Sequence, residues 1–355
     1  MLADARLSRG VEVALADLAS LRGWYPVAID SVTEPPHLVW RYLGDKPLSP
    51  AFFEDSFSGQ VPADRRVCRS ALGAPVSSSP QLPHALPPNA FIFHVSRCGS
   101  TLLNQMLASL PGCVIASEPT VLDPFFRLHQ HQHQSAISGS AGTLRQLVAA
   151  LGQQRSPADR HFFVKLDSWH MPWLPWLRQL YPHTPCVLLY RQPEEVLASH
   201  RRQKGAHMVP GGVDLSALAL SGASPAPADL DGHAARVLAG IFASALAAAQ
   251  ADVHTDANGP PITLVNYTQL PGVVSADWLA ALGLYVDDAA LALLLASTQQ
   301  HAKHPSKRFE GDPPAVKPMI EATSASDASQ QGLAQARAAY AALEALRLAR
   351  QAGSV

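Results

Sequence analysis

Residues 91–107 read FIFHVSRCGSTLLNQML, and the fold prediction rests on the change of pattern within them. The segment opens with the apolar run FIFHV, continues with the small and polar residues SRCGST, and closes with LLNQML, where apolar side chains recur at helical spacing. A short apolar run that is followed by turn residues predicts a buried strand, and the closing pattern predicts a helix. The stretch is therefore interpreted as a strand, a tight turn and a helix.

The same alternation continues along the chain. Short apolar runs predict strands at Phe91–Val95, Cys113–Ser117, Phe162–Leu166, Cys186–Tyr190 and Ile262–Asn266. Helices are predicted to begin near Ser100, Thr143, Trp173 and Pro193, and a further helix is predicted at Leu230–Gln250. Strands that alternate with helices are typical of βαβ units with a parallel sheet covered on both faces. The predicted fold class is α/β, with three α/β/α layers around a central parallel sheet.

The ends of the chain differ in composition from this central region. We predict that residues 1–88 form an N-terminal accessory region that begins with a helix at Val11–Arg22 and closes with a linker rich in proline and serine. The α/β domain is predicted to span residues 89–312. Residues 313–355 are predicted to form a C-terminal helical extension, because apolar side chains repeat at helical spacing over Asp327–Gln351.

Composition and charge exclude several classes of protein. Hydrophobic residues make up 47% of the 355 residues and charged residues make up 15%, against a usual charged share of about 25%, so a disordered chain is excluded. Lysine and arginine number 27 against 28 aspartate and glutamate. This balance gives no overall electrostatic attraction to nucleic acid or to an anionic membrane, and neither is expected as a partner.

Cysteine usage and the N-terminal segment predict where the protein acts. The four cysteines include no CxxC pair, which argues against a disulfide framework and against a zinc site. The first residues carry acidic side chains and lack the basic and apolar regions of a secretory signal. No stretch of about 18 uncharged apolar residues is apparent. The expectation is a soluble cytoplasmic protein.

The turn after the first predicted strand has the chemistry of a phosphate site. Gly99 permits a tight turn into a helix, whose first amides have no acceptor within the helix and favour an anion. Ser100 and Thr101 add hydroxyl groups, and Arg97 adds a planar pair of donors. The segment lacks the second glycine and the lysine of a Walker A loop, which disfavours an ordinary kinase. The alternative is a plain turn from strand to helix that Ser100 caps.

A second anion site is predicted after the strand Cys186–Tyr190. Arg191 follows the strand directly, Pro193 stands at a first helical position, and Ser199 lies eight residues beyond Arg191. Ligands of parallel sheets bind outside the carboxyl ends of the strands, so Arg191 and the phosphate loop should emerge at the same edge. The alternative is that Arg191 forms only a salt bridge.

These two segments together carry a family resemblance. The sequence SRCGSTLL after a strand, followed by Arg-x7-Ser after a later strand, resembles the sulfotransferases that use 3′-phosphoadenosine-5′-phosphosulfate. The resemblance spans most of residues 89–312. It implies that the 5′-phosphosulfate is held by the first motif and that the 3′-phosphate is held by Arg191 and Ser199. The residues of the first motif are Ser96, Arg97, Cys98, Gly99, Ser100, Thr101 and Leu102.

The resemblance also implies candidates for the chemistry. Glu118 stands just beyond the second predicted strand, where some branches of the family carry a glutamate base; alternatively it caps the turn beside Pro119. In HFFVKLDSWH, Lys165 matches the lysine of a family Lys-x-His segment, and Asp167 replaces its histidine. Arg97 and Lys165 would neutralise the transferred group, and the base would be Glu118 or, as second choice, Asp167.

Two further segments resemble parts of the nucleotide site. LVNYTQL resembles the strand and tyrosine that approach the adenine, which implies a role for Tyr267. HPSKRFEGD resembles the basic loop that closes on the 3′-phosphate, which implies roles for Ser306, Lys307 and Arg308. The usual Arg-Lys-Gly order of that loop is absent from this segment.

The implied function is the transfer of a sulfuryl group to a hydroxyl or amine of a small-molecule acceptor, without a metal ion. Two alternatives stay open. One is a nucleotide-dependent phosphotransferase, which would require Mg²⁺ and bind ATP; the other is a nucleotide-binding scaffold without catalysis. A homodimer through residues 313–355 is also left open, since an apolar stripe on the last helix would favour one.

Overall fold

The computed structural model describes residues 6–49, 51–73, 84–132, 140–222, 224–254, 259–301, 304–308 and 326–352. The chain forms two compact units. The first comprises Met1–Ala90 and Asn104–Lys165, and the second comprises Phe91–Leu103 and Leu166–Val355. The chain therefore passes from one unit to the other three times. The first passage follows Ala90, two residues beyond the boundary that the sequence predicts at residue 88. The predicted domain boundaries themselves remain a prediction.

The strands fall in two main sheets. In chain order they are β1 (Val11–Glu12), β2 (Trp24–Asp30), β3 (His37–Tyr42), β4 (Arg66–Ala71), β5 (Pro88–His94), β6 (Cys113–Ser117), β7 (His161–Lys165), β8 (Cys186–Tyr190), β9 (Thr263–Asn266), β10 (Gln300–His301) and β11 (His304–Arg308). One sheet has four strands in the order β1-β4-β3-β2, and another has five in the order β6-β7-β5-β8-β9; β10 and β11 form a small hairpin.

The helices alternate with the strands of the five-stranded sheet. They are α1 (Ser100–Ala108), α2 (Leu122–Gln132), α3 (Ser140–Leu151), α4 (Leu174–Leu180), α5 (Pro193–Arg202), α6 (Leu230–His254), α7 (Ala276–Ala281), α8 (Asp288–Ala296) and α9 (Asp327–Ala352). The pairs β6–β7, β5–β8 and β8–β9 are all parallel. The predicted α/β class, with three layers around a central parallel sheet, is confirmed.

These strands could be predicted from the sequence because they are buried along most of their length. The five residues of β8, CVLLY, are all buried, and the last five of β5 are buried too. A parallel strand that is covered on both faces needs apolar side chains at every position, not at alternate positions. The predicted strands agree with the observed ones to within one residue at each end, apart from β5, which begins three residues earlier.

The predicted helix at Val11–Arg22 is wrong. Val11 and Glu12 form β1, which pairs in parallel with β4, and only Leu15–Asp17 makes a single helical turn of the 3₁₀ type. The Val11 and Val13 amides donate to the Arg65 and Val67 carbonyls at 2.6 and 2.8 Å. Pairing with a strand more than fifty residues away thus overrides a weak local helical propensity.

The first unit joins the four-stranded sheet to β6, β7, α2 and α3. β3 pairs antiparallel with both β2 and β4. The buried Gln153, which follows α3, connects this helix to the sheet: its Oε1 accepts from the Gly23 amide at 2.7 Å, and its Nε2 donates to the Trp24 carbonyl at 2.8 Å. Residues that the sequence assigned to an accessory region are therefore an integral part of this unit.

The second unit contains a long apolar helix. Within α6, Leu230–Asp252 is long and apolar enough to cross a membrane by length and composition. The sequence alone does not single out this stretch, because the stretch contains no run of about 18 apolar residues without any charge. In its most apolar window, 61% of the stretch is buried inside the fold. A helix that is apolar on most faces and buried by protein is a core element, and α6 packs along α9.

The contact between α6 and α9 is close because of a glycine. A Cβ at Gly332 would lie 2.6 Å from the Ala235 carbonyl carbon, so only glycine allows the two helices to approach this far. The buried side of α9 carries Leu333, Ala336 and Leu343. These buried residues of the last helix therefore pack within the same chain.

α9 is also joined to two strands of the sheet by a polar cluster around Glu344. Tyr190, the last residue of β8, donates its hydroxyl to Glu344 Oε1 at 2.8 Å, and the Asn266 amide at the end of β9 donates to the same oxygen. The Asn266 amide also donates to the Tyr340 hydroxyl at 2.9 Å. Arg347 donates to Glu344 Oε2 at 2.7 Å.

These contacts change the proton affinity of two members of the cluster. Burial raises the pKa of Glu344, but hydrogen bonds from Arg347, Asn266 and Tyr190 outweigh burial, so the pKa lies below its ordinary value. Burial raises the pKa of Tyr190 well above its usual range, and the neighbouring Glu344 carboxylate raises it further. The folded cluster therefore holds an ionised carboxylate and a neutral phenol.

This lowered pKa predicts how stability depends on pH. A group with a depressed folded pKa stabilises the fold above its unfolded pKa, ordinarily 4.5 for glutamate, and the contribution is lost as the pH falls through the folded value. We expect Glu344→Gln to lower Tm at pH 7, and the difference from the wild type to shrink on acidification below pH 4.5. The measurement is Tm across a pH series.

The matched control is Asp64→Asn, which changes an exposed carboxylate. This variant should follow the wild-type Tm at every pH. A difference between Glu344→Gln and the wild type that stays constant down to pH 3 would contradict the assignment of the effect to the Glu344 carboxylate.

Candidate active site

The turn between β5 and α1 has an unusual backbone. Ser96 and Arg97 adopt φ angles of 73° and 48°, and Gly99 adopts 85°. Left-handed conformations of residues other than glycine are uncommon and strained, and they persist only where the surrounding structure holds them, often at ligand sites. The turn leads directly into α1, whose first intrahelical bond runs from the Leu103 amide to the Gly99 carbonyl at 3.0 Å.

Several contacts hold this turn, which we call the phosphate loop (Ser96–Thr101). The Ser96 amide donates to His94 Nδ1 at 3.1 Å. The buried Cys98 thiol donates to the Leu189 carbonyl of β8 at 3.3 Å, and Arg191 donates to the Arg97 carbonyl at 3.4 Å. The amides of the first turn of α1 have no acceptor within the helix and can receive an anion there.

The hydroxyl of Ser96 has a defined role in this network. It lies 3.0 Å from His200 Nε2, while His200 Nδ1 accepts from the Gly205 amide at 3.2 Å. Since a neutral imidazole has one donor and one acceptor nitrogen, Nδ1 is the acceptor, and Nε2 carries the proton and donates to Ser96. The pair is thus not a serine activated by a base, and the Ser96 hydroxyl proton is available for an anion.

The Arg97 side chain contacts the residue that follows α5. Its guanidinium donates to the Gln203 carbonyl at 2.6 Å, and its backbone carbonyl accepts from Arg191. The sequence predicts that this side chain neutralises the transferred group, and that role remains a prediction. Ser100 is buried and Thr101 and Leu102 are half-buried at the start of α1, and their roles in binding remain predictions.

Arg191 and the phosphate loop lie together, as the parallel strands led us to expect. The Arg191 guanidinium carbon lies 4.0 Å from the centre of the Tyr267 ring, and its Nε pairs with Glu195 at 2.5 Å. Gly99 also lies against Tyr267, because a Cβ there would be 3.0 Å from the ring. Gly99, Tyr267 and Arg191 therefore form one stack, which we call the loop stack. Ser199 is half-buried on α5.

Lys165 and Glu118, both in the first unit, form an ion pair. Lys165 Nζ lies 2.6 Å from Glu118 Oε1, and the two side chains are 1% and 19% exposed. The Glu118 amide donates to the Lys165 carbonyl at 2.8 Å, and Glu118 has a φ of 55°. A buried lysine requires such a partner, because an unpaired charge in the interior is costly. Two of the residues predicted to be catalytic are thus brought together.

The N-terminal region contributes to this ion pair, which the sequence analysis did not anticipate. Lys165 Nζ lies 5.8 Å from the centre of the Phe52 ring, close enough for a cation–π contact. The Ala51 carbonyl accepts from Ser117, the residue before Glu118, at 2.8 Å. The aromatic pair Phe52–Phe53 was the available signal, but nothing in the sequence indicated where it would pack.

Asp167, the second candidate base, lies in the second unit at the start of the 3₁₀ turn Ser168–Trp173. It is 8% exposed, and its Oδ2 lies 3.8 Å from His170 Nδ1. This buried carboxyl therefore faces an imidazole, whereas Glu118 faces a lysine. That difference separates the two candidates chemically.

The predicted basic loop lies in the small hairpin of β10 and β11. Ser306, Lys307 and Arg308 lie in β11, which pairs antiparallel with β10; their side chains lie outside the described residues, so their roles remain predictions. Among the residues that the structure describes, no group of three or more histidine, cysteine, aspartate or glutamate side chains could hold a metal ion.

Residues 88–211 match the profile of a family described as Sulfotransferase family. No curated protein sequence matches the chain.

Solved structures give two fold comparisons. The sulfotransferase domain of the Synechococcus PCC 7002 olefin synthase is 16% identical, with a TM-score of 0.40 over 73% of this chain and 96% of that one. The sulfotransferase STF1 from Mycobacterium tuberculosis H37Rv is also 16% identical, with a TM-score of 0.36 over 64% of this chain and 78% of that one.

The loop stack generates a prediction about Gly99. A Cβ there would lie 2.6 Å from Leu270 Cδ1 and 3.0 Å from the Tyr267 ring, in addition to the strain of a φ of 85°. Gly59 has a similar φ of 78° with nothing within 4 Å of a Cβ. We expect Gly99→Ala to lower Tm more than the control Gly59→Ala, because Gly59→Ala introduces only left-handed strain, about 1–2 kcal/mol.

Thermal melting of both variants against the wild type measures this difference. Equal losses of Tm in the two variants would show that the packing of Tyr267 and Leu270 on Gly99 adds no constraint to the loop.

Proposed function

We propose, from the match of residues 88–211 to the sulfotransferase family profile, that the chain transfers a sulfuryl group from 3′-phosphoadenosine-5′-phosphosulfate to a hydroxyl or amine of a small-molecule acceptor. The observation that carries the proposal is the loop stack. It joins a phosphate loop at a helix N-terminus to a second, fixed cation, Arg191, through the aromatic ring of Tyr267.

This arrangement fits a donor with two anionic ends. The phosphate loop offers the amides at the start of α1 and the Ser96 hydroxyl proton, which suit a phosphosulfate. Arg191 is 14% exposed and is held by Glu195, the Arg97 carbonyl and the Tyr267 ring. A guanidinium that is fixed in this way suits a 3′-phosphate, with Ser199 as a second donor. Tyr267, which is half-buried beside Arg191, is the proposed neighbour of the purine.

The sequence of the phosphate loop favours 3′-phosphoadenosine-5′-phosphosulfate over ATP as the donor. A Walker A loop uses a lysine to reach the terminal phosphates and a following hydroxyl to hold Mg²⁺. Here the residue before Ser100 and Thr101 is Gly99, and Cys98, before it, donates its thiol to a strand carbonyl instead of a ligand. The loop itself carries Arg97, and Arg191 donates a hydrogen bond to the Arg97 carbonyl.

The proposed reaction is an in-line transfer. The acceptor oxygen or nitrogen forms a bond to sulfur, the bond between sulfur and the 5′-phosphate oxygen breaks, and adenosine 3′,5′-bisphosphate leaves. Negative charge spreads over the oxygens of the transferred group, so positioning and neutralisation make up most of the catalysis. Lys165 and Arg97 are the proposed neutralising groups.

We propose Glu118 as the base that accepts the acceptor's proton. Its carboxylate is ion-paired with Lys165 at 2.6 Å and is partly exposed, whereas Lys165 is fully buried. The lysine therefore orients one carboxylate oxygen. The strained backbone of Glu118, with a φ of 55°, supports a functional position. The proposed acceptor is a small molecule, and the proposed location is the cytoplasm.

The donor assignment predicts the binding of adenosine 3′,5′-bisphosphate. Arg191→Ala should weaken binding by roughly tenfold to a hundredfold, because a charged hydrogen bond contributes about 1.5–3 kcal/mol. Arg337→Ala is the matched control; Arg337 is an exposed arginine of α9 that pairs with Glu194, and its removal should leave the affinity unchanged. The measurement is calorimetric titration, with ATP and Mg²⁺ as a parallel ligand.

Binding of ATP with Mg²⁺ and none of the bisphosphate would overturn the donor assignment and favour a phosphotransferase. Equal bisphosphate affinity in Arg191→Ala and the wild type would show that Arg191 does not hold the 3′-phosphate.

The base assignment predicts a separation between turnover and binding. Glu118→Gln keeps the size of the side chain and removes its basicity, so kcat should fall by roughly 10²- to 10⁴-fold, while the affinity for the bisphosphate stays the same. Asp167→Asn should lower kcat much less. The measurement is the release of adenosine 3′,5′-bisphosphate in the presence of a panel of simple phenols, alcohols and amines. Turnover that survives in Glu118→Gln and is lost in Asp167→Asn would reverse the assignment.

A further inference from the structure

We propose that Glu344 of α9 is a positioning residue of the nucleotide site, which fixes the ends of β8 and β9 and through them sets Arg191 over Tyr267. The inference rests on the proposed function, because it assigns a role within the same nucleotide site. In this role Glu344 acts through the two strand ends and not on the nucleotide. It lies 153 residues beyond Arg191 in the chain, and the sequence predicted only a helix there.

The first step is the place where the two strands end. Tyr190 and Asn266 are the last residues of β8 and β9, and they are paired with each other in the sheet. The next residues along the chain are Arg191 and Tyr267, the two members of the loop stack that carry the charge and the ring. A shift of either strand end therefore moves one face of the stack directly.

The second step is that Glu344 joins these two strand ends. Its Oε1 accepts from the Tyr190 hydroxyl at 2.8 Å and from the Asn266 amide. Tyr190 is fully buried and Asn266 is 4% exposed. Two buried donors on neighbouring strands thus share one carboxylate oxygen, and Arg347 holds the other oxygen at 2.7 Å.

The third step is that Asn266 transmits this contact to Tyr267. While its amide nitrogen donates to α9, its Oδ1 accepts from the Thr268 amide and hydroxyl, both at 3.0 Å. Its backbone amide donates to Gln269 Oε1 at 2.9 Å, which completes a capping box around the turn Tyr267–Gln269. One side chain therefore connects Glu344 to the turn that carries the stacking ring.

α9 has other anchors, so the effect of Glu344 can be separated from docking of the helix. Gly332 packs against Ala235 on α6. Arg350 donates to the Ile262 carbonyl and to the Ala249 carbonyl. These contacts do not involve Glu344. Loss of the carboxylate removes the acceptor of the Tyr190 hydroxyl and one acceptor of the Asn266 amide, and a buried donor without an acceptor destabilises the arrangement that holds it.

The test compares two nucleotides in variants of Glu344. Adenosine 3′,5′-bisphosphate carries the 3′-phosphate that Arg191 is proposed to hold, and adenosine 5′-phosphosulfate lacks it. We expect Glu344→Ala to weaken binding of the bisphosphate by about tenfold to a hundredfold and to change the affinity for adenosine 5′-phosphosulfate much less. Glu344→Gln should restore most of the bisphosphate affinity, because its amide oxygen still accepts from Tyr190 and Asn266.

Two further variants keep the test decisive. Tyr190→Phe retains the buried ring and removes one donor, so it should move the ratio of the two affinities in the same direction by a smaller factor, even if Glu344→Ala does not fold. Arg337→Ala removes an exposed ion pair of the same helix and should leave the ratio unchanged. Calorimetric titration gives the affinities, and thermal melting confirms folding.

The outcomes separate this inference from the function on which it rests. Wild-type protein that binds no bisphosphate overturns both. Wild-type binding with an unchanged affinity ratio in Glu344→Ala and Tyr190→Phe, or with an equal loss for both nucleotides, overturns the positioning role alone and leaves the proposed donor standing. A selective loss of bisphosphate affinity, with rescue in Glu344→Gln, establishes the role.

Discussion

The position of one aromatic ring is the constraint on which the proposed nucleotide site depends. Tyr267 contacts both Gly99, where a Cβ would be only 3.0 Å from the ring, and the Arg191 guanidinium, which lies 4.0 Å from the ring centre. The phosphate loop, the end of β8 and the end of β9 are therefore not independent. The residue at 99 must be glycine for the ring to fit, and the ring must fit for the guanidinium to have a surface on which to stack.

The chemistry of the loop follows from small details of its hydrogen bonds. His200 looks like the partner of a nucleophilic serine, but the Gly205 amide fixes its tautomer and makes Ser96 an acceptor from it. Cys98 lies in the middle of the loop, yet its thiol is occupied by a strand carbonyl. These residues belong to the proposed anion site, and their hydrogen bonds do not form a nucleophilic pair.

The sequence predicted the elements of the sheet and the proximity of Arg191 to the phosphate loop, for a physical reason. Strands that are buried on both faces must be apolar throughout, so β6 and β8 stand out against their surroundings. Residues that follow such strands meet at one edge, which is why Arg191 could be placed with the phosphate loop. The local sequence pattern gave a wrong prediction where a distant contact determines the structure. Val11 and Glu12 form β1 in place of the predicted helix, because they pair with β4.

Phe52 and Glu344 could not have been found in the same way. Each acts on residues more than a hundred positions away, Phe52 on Lys165 and Glu344 on Tyr190. A side chain that completes a site from such a distance leaves no local signature, because neither its neighbours nor its spacing differ from those of a core aromatic residue or of a charged helix face.

The two compact units are interleaved along the chain, since Phe91–Leu103 belongs to one unit although the segments on either side of it belong to the other. Neither unit can therefore be released by a single cut. The family match over residues 88–211 takes parts of both units, and a fragment cut to those limits would lack the four-stranded sheet that packs with α3, and also β9 and α9. In evolutionary terms, the N-terminal sheet cannot have been gained or lost as a detachable module without rebuilding the interior that it shares with α3 and Gln153.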